Sequence, residues 1–119
     1  MPGSLKVHPV LTTTYAVASK DVKLTITFGN KQMGASIATI GSRELAIGAI
    51  KQLKVGKATA LKGKTLHLKS IVSDINDKTN WTNVRLVLEG GKANAQHDLA
   101  LEVDEHGQSV EYRVEVKFT

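Results

Sequence analysis

The stretch Asp74-Ile75-Asn76-Asp77-Lys78-Thr79-Asn80 gathers enough side-chain oxygens to suggest a cation site. A calcium-binding helix–loop–helix needs Asp or Asn at its first, third and fifth loop positions and Gly at the sixth. Asp74 and Asn76 satisfy the first two, but Lys78 and Thr79 fill the others, and an ammonium there repels the ion. A turn closed by its own side chains is the better reading. Trp81, the single tryptophan, follows directly and shares the phase of Asn83 and Arg85. An aromatic on a polar face can serve as a contact anchor. Asp74, Asn76, Asp77, Asn80 and Trp81 are therefore the candidate binding residues, with half-buried packing at an edge as the competing role for Trp81.

The other chemistry-bearing groups are less suggestive. Gly63-Lys64-Thr65 matches the end of a phosphate-binding loop, but Ala58 stands where its first glycine belongs. The alternating Leu66-His67-Leu68 follows, where that loop requires a helix. Of the four histidines, no two sit at spacings that write a local metal-ligand pair. His67 is expected to point outward, and His97 to share the inward phase of Leu99 and Leu101. No nucleophile-elbow pattern occurs, and with no cysteine there is neither thiol chemistry nor a disulfide. No metal and no cofactor are expected.

Charge is uneven. Residues 1–73 hold eleven Lys or Arg against two acids, whereas residues 74–119 hold five against nine. Lys51, Lys54, Lys57, Lys62, Lys64 and Lys69 fall in a span free of acids. They form a candidate basic patch for weak, salt-dependent contact with an anionic polymer, either nucleic acid or acidic glycan. The competing reading is that basic strands face acidic ones inside the fold.

These groups must be positioned mainly by strands. Val22, Leu24, Ile26 and Phe28 alternate with polar residues, as do Leu99, Leu101 and Val103, and Val110, Tyr112, Val114, Val116 and Phe118. A strand starting at Leu66 and Leu68 loses phase, which suggests a bulge near Lys69 and Ser70. Turn residues cluster at 29–31, 76–80, 90–92 and 104–107, and the last of these reads as a hairpin between the final two strands. Residues 42–55 fit a short capped helix and a strand equally well, with Gly48 weakening the helix. The expected fold is a single all-β domain over 1–119, an antiparallel sandwich of about seven to nine strands. In broad outline it resembles immunoglobulin-like modules, although the cysteine pair of true immunoglobulin domains is missing and Trp81 lacks that partner.

The first residues lack an apolar leader and no run reaches membrane-spanning length, so a cytoplasmic or leaderless-export protein with no membrane contact is expected. The favoured function is a non-catalytic binding or protein-interaction module, self-associating as a homodimer if the long strand 109–119 lies at a sheet edge. The basic surface over 51–69 is the alternative, and a small enzyme with dispersed residues the third.

Overall fold

The computed structural model describes residues 5–119. Ten strands lie among them: β1 (Leu5–Val7), β2 (Leu11–Tyr15), β3 (Val22–Phe28), β4 (Met33–Ile40), β5 (Arg43–Gly48), β6 (Leu53–Gly56), β7 (Thr65–Ser73), β8 (Trp81–Glu89), β9 (Ala95–Glu102) and β10 (Ser109–Phe118). One helical turn, α1 (Ala58–Leu61), precedes β7. A six-stranded sheet runs β5, β4, β7, β10, with β1 and β2 in tandem along the far side of β10. A four-stranded sheet runs β6, β3, β8, β9. The two pack as a sandwich. Among the described residues no helix is long and apolar enough to cross a membrane.

Alternation sorts each strand into a dry and a wet side. Val110, Tyr112, Val114, Val116 and Phe118 of β10 are all at most 5% exposed. Leu66, Leu68 and Val72 of β7 join them from one sheet, and Val22, Leu24, Val84, Leu86 and Leu88 from the other. Each such side chain contributes about 1.5–3 kcal/mol through removal from water. Polar groups inside are paired. Tyr112 Oη lies 2.6 Å from Thr82 Oγ1 and donates to Thr82 O at 3.2 Å, and burial pushes its phenol pKa up.

Three sequence expectations need correction, and one choice left open is settled. Strand 109–119 is not an edge: β10 pairs antiparallel with β7 on one side and parallel with β1 and β2 on the other. Its main chain is therefore committed on both sides, leaving no room for a partner strand. The 42–55 segment is not helical but forms β5 and the start of β6. Ala38 opposes Ala46 while Thr39 opposes Glu44, so Leu45 is an extra residue in a bulge. Adjacent Leu45 and Ala46 both pack against the core, which imitates a helical stripe. Strand β7 has no bulge and keeps one register with both neighbours. Ser70 sits on its inner face because its hydroxyl pairs with that of Ser36 at 2.6 Å, and Ile71 simply faces out. Finally, residues 104–107 carry the chain from one sheet to the other rather than closing a hairpin.

Candidate functional site

The 74–80 loop is built around a side chain that the sequence reading overlooked. Gln32, 8% exposed, accepts from the backbone N–H of Ile75 at 2.8 Å and of Asn76 at 2.9 Å. Its Nε2 donates to Asp74 Oδ1 at 2.7 Å, Trp81 O at 3.0 Å and Thr79 O at 3.3 Å. Asp74 is turned wholly inward, with its second carboxylate oxygen lacking a hydrogen-bond partner and 3.7 Å from His106 Nδ1. Asn76 Oδ1 accepts from Lys78 N, and Thr79 Oγ1 from Trp81 N, so local side chains do close the turn. Asp77 and Trp81 are exposed and Asn76 and Asn80 half-buried. The five candidate residues thus divide: Asp74 anchors the loop from within, and the others line its surface. No cluster of three or more potential metal ligands occurs among the described residues.

The six lysines do not share one face. Lys54, on β6 of the four-stranded sheet, bonds Asp21 at 3.0 Å. Lys69, on β7 of the other sheet, bonds Glu111 at 3.2 Å. Lys57 and Lys62 flank α1, Lys64 immediately precedes β7 and Lys51 lies between β5 and β6. These four are exposed and make no ion pair with another described residue. Lys64 meets Arg43 in a shallow cleft of about 490 Å³, lined also by Ile40, Ser42, Thr65 and His67, with no carboxylate in its wall.

The outer face of the six-stranded sheet holds a buried charge. Glu111 is 4% exposed there, held by Arg113 Nε at 2.7 Å and Lys69 Nζ at 3.2 Å. Burial pushes its carboxyl pKa up, but the hydrogen bonds from Lys69 and Arg113 outweigh it, and the net shift is downward. A depressed folded value means that the carboxylate adds stability above the ordinary glutamate range, and that this is lost as pH falls through the folded value. Glu111→Gln is expected to cost about 1–2 kcal/mol at neutral pH. On acidification its melting temperature should fall less than that of the wild type. Parallel acid melting curves would refute the linkage.

Beside this group a groove of about 340 Å³ is walled by Val10, Ile37, Thr39, His67, Arg113 and Glu115. Register sets Glu115, His67 and Thr39 side by side across three strands, in the order carboxylate, imidazole, hydroxyl. Their spacing does not make a relay. His67 Nδ1 is 3.7 Å from Glu115, beyond hydrogen-bond range, and both side chains are about half exposed. No hydrogen bond joins Thr39 to His67 among the described residues, and the central-strand amides are tied into ladders rather than free to hold an oxyanion. The well-exposed apolar side chains of the strands on this face also fall into two flanks, Leu5 and Val7 on β1 and Met33, Ile37 and Ile47 on β4 and β5. The Lys69, Glu111 and Arg113 group lies between them.

The sheet edges differ in openness. β5 is bulged, β6 has four residues, and β1 and β2 are interrupted around Pro9. β9 is regular over eight residues and pairs with β8 throughout. Val103 N donates to Asn80 O and Leu101 O accepts from Thr82 Oγ1, so odd-numbered residues turn their main chain toward β8. By alternation the even-numbered ones face the open edge. Lys6 Nζ, donating to Glu102 O at 3.0 Å from that side, agrees. The backbone groups of Gln96, Asp98 and Ala100 have no partner among the described residues. Asp98 itself is held by Arg85 Nε at 2.8 Å, with Gln96 Nε2 also donating at 3.0 Å, and these two hydrogen bonds lower its pKa. Compared with protein-family models, with curated proteins and with solved structures, the chain matches none.

Proposed function

We propose that this chain is a non-catalytic protein-interaction module that accepts an added β-strand along β9. The observation carrying the proposal is the row of unpartnered backbone groups at Gln96, Asp98 and Ala100 on an unbulged eight-residue edge strand. Natural sheets usually blunt such edges with bulges, proline or lysine, and β9 has none of these within its span. Main-chain hydrogen bonds would supply affinity, and the half-buried Leu99 and Leu101 would supply side-chain contacts at the sandwich seam. A peptide alternating valine and threonine, with a lysine at each end, is the direct probe. Its addition should shift the amide resonances of Gln96, Asp98 and Ala100 and slow their hydrogen exchange. Ala100→Pro should abolish both effects while the fold persists, because the lost N–H serves the edge and not the ladder. Unchanged amides in wild-type protein diluted until it is monomeric would refute strand addition.

A second reading rests on the acid-free cleft of Arg43, Lys64 and His67, which suits a sulfate or phosphate ester of an anionic polymer. No Phe, Tyr or Trp lines it, which favours an acidic glycan over stacked bases. It differs from strand addition by salt: retention on heparin would vanish at high ionic strength, whereas the peptide effects on β9 would persist.

A further inference from the structure

The partner strand can be named from the charges on β9. Two copies meeting antiparallel along this edge must pair even-numbered residues with even-numbered ones, because those alone turn their main chain outward. The outer face then presents Gln96, Asp98, Ala100 and Glu102 to the same four residues of the other copy. With the two-fold axis at Leu99, Asp98 faces the partner's Ala100, and Gln96 faces the partner's Glu102. Sliding the pair by one step either way sets Asp98 against the partner's Asp98 or against the partner's Glu102. Like charges directly opposed are destabilising. A further slide that separates them again gives up much of the strand's length. Within the favoured register Asp98 is already paired with Arg85 at 2.8 Å, and the Glu102 carboxylate faces the uncharged amide of the partner's Gln96. On the inner side Leu99 meets its own symmetry mate, and His97 meets the partner's Leu101. This places half-buried apolar surface from two copies in contact at the sandwich seam.

We infer that the partner is a second copy of this chain, joined through β9 in antiparallel pairing centred on Leu99, so that two four-stranded sheets become one of eight. The inference rests on the proposed role of β9 as a strand acceptor. The absence of cysteine from the sequence makes the register directly measurable. Leu99 lies at a non-hydrogen-bonded position, where opposed Cα atoms are about 4.5 Å apart, within disulfide reach. Leu99→Cys under mild oxidation should therefore convert largely to a covalent dimer. His97→Cys alone should form no covalent dimer, because its symmetry mate is displaced by about four residues, or roughly 13 Å. Mixed with Leu101→Cys, it should cross-link. The mixed pair also serves if the Leu99 variant folds poorly. Wild-type protein that remains monomeric up to millimolar concentration, or cross-linking of His97→Cys with itself, would overturn the inference. Capture of the valine–threonine peptide by such a monomer would leave strand addition standing while removing the second copy as its partner.

Discussion

Gln32→Ala should destabilise the protein by about 3–5 kcal/mol, one of the two largest single-residue effects expected in the chain. The side chain makes five hydrogen bonds, two to backbone N–H groups, two to carbonyls and one to the Asp74 carboxylate. Alanine keeps none of them. The larger penalty comes from Asp74, whose side chain is fully buried and whose other oxygen already has no hydrogen bond. Without Gln32 the carboxylate has no donor on either oxygen, and an uncompensated buried charge is costly. Gln32→Glu separates hydrogen bonding from packing, since it fills the same space but replaces the donating amide with a second acid beside Asp74. It should be destabilising at neutral pH and partly recover on acidification, as one of the two carboxyls takes a proton. Urea unfolding followed by circular dichroism measures both. A loss below about 1 kcal/mol for Gln32→Ala would mean that the 74–80 loop is held by something other than this side chain.

The strands that sequence alone located are those whose phase is undisturbed. Val22 to Phe28, Leu99 to Val103 and Val110 to Phe118 each put apolar residues on one side, and burial follows that division. What alternation cannot give is the neighbour. β10 reads as a long strand wherever it lies, and its central position comes from two short parallel strands, β1 and β2, nearly a hundred residues earlier. No turn signal links segments that far apart. Turn residues likewise mark where the chain reverses but not whether it stays in its sheet. Gly90 to Asn94 closes a true β8–β9 hairpin, whereas Asp104 to Gly107 crosses between sheets with similar residues.

Local pattern failed wherever a side chain satisfied a group out of phase. Ser70 looked like a slip because serine is polar, yet Ser36 makes it a core residue. Leu45 and Ala46 looked helical because a bulge turns both inward. Glu111 is one of the polar residues alternating with the apolar side of β10, and nothing local marks it as held between Lys69 and Arg113 and buried. The candidate site is less legible still. Alternation gave the facing of β9, but that its outer backbone is unpartnered is a property of strand order, and strand order is not written locally. Gln32 carried no signal beyond its place after the 29–31 turn.

Gly90→Ala is the second large effect, expected at about 3 kcal/mol or more. Two constraints coincide at this residue. Its φ is +93°, a conformation that L side chains rarely adopt, and a Cβ there would lie 2.0 Å from the carbonyl oxygen of Asp21. That oxygen cannot easily withdraw. The next residue, Val22, is fully buried, and Lys23 is in register with Glu89 at the end of β8. The hairpin tip cannot yield freely either, since Gly91 N donates to Tyr15 Oη at 2.9 Å and Lys92 N to Ala16 O at 3.0 Å. Something in the core must move. Gly107→Ala isolates the backbone contribution, because its φ is +88° with nothing within 4 Å of the added methyl, and about 1 kcal/mol is expected there. Thermal unfolding of the two variants gives the contrast, and equal losses would show that the Asp21 contact is not the constraint. The same substitution reaches the binding edge. β9 begins five residues after Gly90, in register with Leu88 of β8, so a displaced hairpin shifts Ala95 and then the free amides of Gln96 and Asp98. Weaker strand capture by Gly90→Ala, at a temperature where it remains folded, would tie the geometry of this one turn to the acceptor edge it positions.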